Sequence, residues 1–127
     1  MNRISITHIS NRHNDWLRGL SFYTGEINVL KNRLTELAGK NTGHDMLQMV
    51  EHYENQLIIH ADQIKLLEHD INEHIGQLTN EATELKAGYI DGGLLLSHEQ
   101  LEKRYMEEET MINQLRQEFN RFASRWM

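Results

Sequence analysis

Apolar residues recur at alternating intervals of four and three along most of this chain, which is the spacing that places them on one face of an α-helix. The chain contains no proline, and the spacing is interrupted only where glycines cluster, near residues 39–43 and 88–93. Short links between long helices make consecutive helices antiparallel neighbours. We therefore predict an all-α fold of three long antiparallel helices at about 8–39, 44–88 and 97–126, with a long central helix.

The repeated positions define the predicted core of the three helices. They are Ile9, His13, Trp16, Leu20, Tyr23, Ile27, Leu30, Leu34 and Leu37; Met46, Val50, Tyr53, Leu57, His60, Ile64, Leu67, Ile71, His74 and Leu78; and Leu101, Tyr105, Glu108, Ile112, Leu115, Phe119, Phe122 and Trp126. Ser97, followed three residues later by Gln100, has the pattern of a capping box and predicts the start of the third helix. At 127 residues, we expect a single domain, 1–127.

Composition excludes several classes of function. A formal net charge of -6 disfavours binding to a nucleic-acid backbone or an anionic membrane surface. The absence of cysteine removes disulfides, thiolate zinc sites and cysteine nucleophiles together. The sequence has no apolar run of signal-peptide length at its amino terminus and none of the roughly 20 residues that a membrane span needs. We therefore expect a cytoplasmic protein that binds neither nucleic acid nor membrane.

The unequal helix lengths predict a bundle that is complete only in its middle. Tight links would place Ile9 near His74 and His60 near Trp126, so that all three helices overlap mainly between His60 and His74. Each end would then be a helix pair with part of its apolar face exposed, at about 25 cal/mol for each square ångström. We expect dimerisation to cover these ends.

A second row of apolar residues lies beside the predicted core positions. Phe22 and Val29 are seven residues apart in the first helix, and Ile59 and Leu66 repeat this spacing in the second, with Ile58 beside them. One interpretation is a wide core-facing surface, because globular helices commonly bury three or four positions in seven. The other, which we prefer, is that these five residues form a homodimer interface.

Four core positions are polar, namely His13, His60, His74 and Glu108. Because an unpaired buried polar group costs roughly 1 to 3 kcal/mol, we predict a hydrogen bond between His74 and Glu108 across two helices. One interpretation is that the pair has no role beyond defining the register of the two helices. Alternatively, His60, His74 and Glu108, with His13, form a metal site, since facing helices can converge imidazole and carboxylate ligands.

Two local metal-binding motifs, those of carboxylate-bridged di-iron sites and of helical zinc sites, are absent from the sequence. Neither Glu-x-x-His nor His-Glu-x-x-His occurs, and the nearest pattern is His69 with Glu73, four residues apart on the predicted outer surface. We interpret this pair as part of a solvated charged face that could bind nickel or zinc adventitiously. The sequence implies no cofactor.

No catalytic motif is present, since the chain has neither a Gly-x-Ser-x-Gly elbow nor a phosphate-binding glycine loop. The leading hypothesis is therefore a non-enzymatic helical scaffold or protein-protein interaction module, whose partner is a second copy or another helical protein. The alternative is a helical bundle that binds a metal or small ligand through inward-facing histidine and glutamate.

Overall fold

The chain folds into a bundle of three helices. A computed structural model describes residues 5–40, 43–85 and 92–126, and within these ranges the helices are α1 (Ile6–Lys40), α2 (His44–Leu85) and α3 (Gly92–Arg125). Each helix packs against both others, which confirms the prediction of an all-α three-helix bundle. Among these described helices, none combines the length and the apolar composition needed to cross a bilayer.

The predicted helix bounds are close for α1 and for the start of α2, whereas the predicted end of α2 at 88 lies outside the described residues. The third helix begins at Gly92, five residues earlier than predicted. Ser97 is not a cap, because its hydroxyl donates a hydrogen bond of 3.2 Å to the carbonyl oxygen of Gly93, one turn back within α3. The additional turn brings Leu94 and Leu95 against Ile9 and Leu78.

The core contains nearly all of the residues that the heptad spacing predicts. All nine predicted positions of α1 are buried, and so are those of α2 between 46 and 78 except Val50, which is half-buried. In α3 the predicted positions are buried from Leu101 to Phe122, apart from the half-buried Tyr105, while Trp126 is exposed. His98, three residues before Leu101 in the same row, is buried as well.

The register of the helices differs from the prediction. His60 lies beside Glu108 rather than Trp126, which moves α3 along α2 by eighteen residues, or about 27 Å at 1.5 Å per residue. Near the start of α2, the ring of Tyr53 contacts Phe119 and Phe122, so α3 also covers this end of α2. The prediction that α3 leaves the amino-terminal end of α2 uncovered was therefore wrong, and this end no longer supports dimerisation.

Candidate functional site

Three imidazole rings and one indole ring lie together in the interior, where all three helices meet. His13 and Trp16 come from α1, His74 from α2 and His98 from α3, and all four side chains are buried. The centroid of the His13 ring lies 5.0 Å from that of His74 and 5.8 Å from that of His98. Trp16 stacks on His98 with a centroid distance of 5.1 Å. We refer to these four residues as the histidine cluster.

A chain of hydrogen bonds determines which nitrogen carries the proton in two of the rings. His74 Nε2 lies 3.0 Å from the carbonyl oxygen of Leu94, which can only accept, so Nε2 donates. The Nδ1 atom of a neutral His74 is then an acceptor, and it lies 3.0 Å from His13 Nε2. His13 therefore donates from Nε2, and its Nδ1 atom retains a free lone pair.

Three buried nitrogen atoms of the cluster have no hydrogen-bond partner among the described residues: His13 Nδ1, Trp16 Nε1 and His98 Nδ1. The indole N–H is a donor. The Nε2 atom of His98 lies 3.8 Å from a carboxylate oxygen of Glu102, which favours the proton on Nε2 and leaves Nδ1 as an acceptor. Unpaired buried polar atoms cost about 1 to 3 kcal/mol each, so three in one cluster indicate a site for a partner outside the chain.

Burial keeps the imidazoles of the cluster neutral near pH 7. Desolvation, reinforced by the nearby His74 and His98, lowers the pKa of His13 from 6.5 to about 4. Desolvation also lowers the pKa of His74 and the pKa of His98, although the Glu102 carboxylate opposes the shift at His98. The lone pairs of the unpartnered Nδ1 atoms are therefore available to an electrophile or a hydrogen-bond donor.

A surface groove between α1 and α2 reaches the cluster at His13. The groove has a volume of about 360 Å³. Besides His13, it is lined by Ile6, Ser10, Asn14, Ile75, Leu78 and Thr79. A small ion or molecule that enters this groove meets His13 first.

The predicted metal residues do not converge on one point. Glu108 pairs with His60, whose Nδ1 atom lies 2.7 Å from Oε1, so the predicted bond between His74 and Glu108 was wrong. His60 and His74 are fourteen residues apart on one helix, or about 21 Å along its axis. A single ion cannot bind both, and His74 instead belongs with His13 in the histidine cluster.

A second polar group lies on the surface of α2. Within the described ranges, His69, Asp70 and Glu73 form the only group of three or more His, Asp and Glu side chains whose ligand atoms can all lie within 4.8 Å of one another. His69 Nε2 is 3.3 Å from a Glu73 oxygen, and Asp70 binds Arg104 of α3 at 2.8 Å. Because His69 and Glu73 are exposed, these contacts need no ligand to explain them.

The predicted interface residues are all exposed, but they lie on more than one side of the bundle. Phe22 and Val29 share a side of α1 with Glu26, which faces Arg116 of α3. This pair of residues therefore borders the α1–α3 side of the bundle.

The α2 residues of the predicted interface separate in the same way. Ile59 and Leu66 lie on the side of α2 that carries Asp70 and therefore border α3. Ile58 lines a groove on the α1–α2 side, together with Leu34 and Val50. The five predicted residues thus border three different sides, and one flat surface cannot contain them all.

Sequence reasoning missed His98 as a member of the cluster. Its position, three residues before Leu101, continues the core spacing of α3. The capping-box interpretation of Ser97 assigned His98 to the first turn of a helix, where side chains are commonly exposed. Continuing the spacing past Leu101 towards the amino end of α3 would have found it.

Comparison of the chain with protein-family models, with curated protein sequences and with solved structures finds no match.

Proposed function

We propose that this protein is a non-enzymatic helical interaction module that forms a homodimer through one side of the bundle. This side, the α2–α3 face, has Ile59, Leu66 and Met111 at its centre, with Gln63 and Gln114 between them. All three apolar side chains are about half exposed, at 48, 52 and 44%. The proposal rests on these three exposed side chains, because a patch of exposed apolar side chains is typical of an interaction site.

The ion pair between Asp70 and Arg104, at 2.8 Å, identifies the residues of this face. On α2, residues 59, 63, 66 and 70 follow one another at intervals of four, three and four, and therefore share one side of the helix. On α3, residues 104, 107, 111 and 114 share a side in the same way, and of these Glu107 is exposed next to Met111. The face thus has apolar residues at its centre, uncharged amides and Glu107 beside them, and an ion pair at one edge.

The low charge of the α2 half of this face, where Ile59, Gln63 and Leu66 are all uncharged, favours a second copy as the partner. With a net charge of -6, two copies repel each other at a distance, and a contact surface of low charge adds least to this repulsion. Interfaces are commonly depleted of charged residues at the core and polar at the rim. In a two-fold symmetric dimer this face would meet itself, with Glu107 of each copy kept at the rim of the contact so that the two carboxylates stay in water.

The α1–α3 side is a weaker candidate, although Phe22 and Val29 are also exposed. Glu26 lies between them and faces Arg116 at 4.0 Å, so a partner would have to desolvate charged groups at the centre of the contact. We therefore place Ile59 and Leu66 inside the interface, and Phe22, Val29 and Ile58 outside it.

The test compares two neighbouring substitutions on α2. Ile58 and Ile59 are exposed to nearly the same degree, 46 and 48%, but border different sides of the bundle. We expect light scattering at micromolar concentration to give the mass of two chains for the unmodified protein and for Ile58→Glu. We expect the mass of one chain for Ile59→Glu, because the carboxylate would be buried without a partner.

A monomeric unmodified protein would remove the proposal. A dimer that Ile58→Glu dissociates and Ile59→Glu leaves intact would also contradict it, since the contact would then involve the α1–α2 side. Circular dichroism of both variants controls for unfolding.

A further inference from the structure

We propose that the histidine cluster is a metal site in which the Nδ1 atoms of His13 and His98 bind one copper(I) ion. This inference concerns the interior of the bundle and is independent of self-association on the α2–α3 face. It starts from the two buried imidazole nitrogens that have a lone pair and no partner among the described residues.

The separation of the two rings matches that of two imidazoles on one ion. Bonds from an imidazole nitrogen to a metal of this size are about 2.0 to 2.1 Å, so a ring centroid lies about 3.2 Å from the ion. Two such rings have centroids about 5.5 Å apart at a trigonal angle and about 6.4 Å apart at a linear one. The centroids of His13 and His98 are 5.8 Å apart, within this range.

The second nitrogen of each ring has the environment that metal-bound histidines usually have. Such histidines donate their other N–H to a carbonyl, a carboxylate or another acceptor, which orients the ring and makes the ligand nitrogen more basic. His13 donates to His74, which in turn donates to the Leu94 carbonyl oxygen. The Nε2 atom of His98 faces the carboxylate of Glu102.

The charge of the surroundings favours a monovalent ion. Both proposed ligands are neutral, and the nearby carboxylate of Glu102 already pairs with Arg12 at 3.2 Å. The Arg12 guanidinium also lies 5.6 Å from the Trp16 ring, so a positive charge is already close. Because the cost of burying an ion rises steeply with its charge, a divalent ion without a carboxylate ligand is disfavoured. Imidazole is a suitable ligand for copper.

Trp16 has a defined role in this arrangement. Its indole N–H is a buried donor without a partner among the described residues, and it cannot bind a cation. It can donate a hydrogen bond to a third ligand on the ion, such as a water molecule. An ion and one water molecule would together satisfy all three unpartnered nitrogens. The main competing explanation is a water molecule alone, which would accept from Trp16 and donate to both histidines.

The experiment is a titration of the metal-free full chain with copper(I) under anaerobic conditions with ascorbate and a competing chelator. We expect one equivalent to bind, and binding to be lost in His13→Asn and in His98→Asn. The matched control is His69→Asn, which removes a histidine from the surface group of α2 and should bind copper(I) as the unmodified chain does. At a free ion concentration 100-fold above Kd, the melting temperature should rise by about 10 °C.

A second measurement covers the case in which a cluster variant fails to fold. In the unmodified chain, ¹⁵N spectra should show the Nδ1 signals of two histidines shifting on addition of copper(I), while the signals of the exposed His52 and His69 stay in place. Absence of binding would leave the water molecule as the explanation and overturn the proposal. Loss of binding in His69→Asn alone, or zinc binding more tightly than copper(I) at His13 and His98, would overturn it too.

Discussion

His60 on α2 donates a hydrogen bond of 2.7 Å from Nδ1 to Oε1 of Glu108 on α3, inside the core of the bundle. Both residues occupy positions that the heptad spacing assigns to apolar side chains. A shift of α3 by one turn would separate them and leave two polar groups buried without a partner. The pair therefore favours this register over its neighbours, which is a documented use of buried polar residues in helical assemblies.

Removing one partner of this pair should destabilise the fold strongly. We expect Glu108→Ala to lower the free energy of unfolding by about 3 kcal/mol, because His60 is left buried and unpaired. The double variant His60→Leu with Glu108→Leu should recover most of this loss or exceed the original stability, since leucines fill the space without a desolvation penalty. Urea denaturation measures both; a double variant less stable than Glu108→Ala would contradict the prediction.

Stability of the metal-free protein should decrease in mild acid because of His13. Its pKa is lowered by burial from 6.5 to about 4, so between these pH values the unfolded chain binds a proton that the folded chain does not. Neutral His13 contributes about 3 kcal/mol to the free energy of unfolding. This contribution is fully present above about pH 6.5 and is lost as the pH falls towards 4.

Urea denaturation between pH 7 and pH 4.5 measures this loss. In His13→Phe, the free energy of unfolding should depend less steeply on pH than in the unmodified chain. In His52→Ala, where the exposed surface is changed, the dependence should equal that of the unmodified chain. If the free energy of unfolding depended on pH equally in the unmodified chain and in His13→Phe, His13 would not be the source of the loss.

Two glycines in α1 should respond oppositely to alanine. A Cβ atom at Gly19 would collide with the hydroxyl of Tyr105 on α3, whereas one at Gly25 would meet nothing within 4 Å. Burial raises the pKa of Tyr105 to about 12, so the hydroxyl is neutral at this contact. We expect Gly25→Ala to raise the free energy of unfolding by about 0.5 to 1 kcal/mol through helix propensity.

We expect Gly19→Ala to lower the free energy of unfolding by about 1 to 2 kcal/mol, because the Tyr105 ring must leave its place between the helices. Thermal unfolding of the two variants side by side measures the difference. Equal stabilisation by both alanines would mean that Tyr105 moves aside without penalty.

The position of Ser97 within α3 predicts a small effect of its substitution. A serine that caps a helix contributes about 1 kcal/mol, but the Ser97 hydroxyl bonds to Gly93 inside the helix. We expect Ser97→Ala to change the free energy of unfolding by less than about 0.5 kcal/mol. Thermal unfolding measures this change. If the free energy of unfolding fell by about 1 kcal/mol or more, a helix start at Ser97 would be favoured.

The three helices and the identity of their inward-facing residues could be predicted from the sequence alone. Heptad spacing is a property of each helix by itself, so it identified the core from Ile9 to Leu37 in α1 without any knowledge of the other helices. It also placed His13, His60, His74 and Glu108 at inward positions, where the structure buries them. The prediction was wrong at Ser97, where a local capping pattern competed with the core spacing, and at Trp126, which is exposed just after the end of α3.

Which inward-facing residues meet was decided only by the tertiary structure. Each turn of a heptad helix resembles the next, so helices can slide past one another by whole turns with similar apolar burial, and spacing alone does not distinguish these registers. The packing of all three helices together selects one of them. That register pairs Glu108 with His60 rather than His74, and it brings His98 beside His13 and Trp16 to form the histidine cluster.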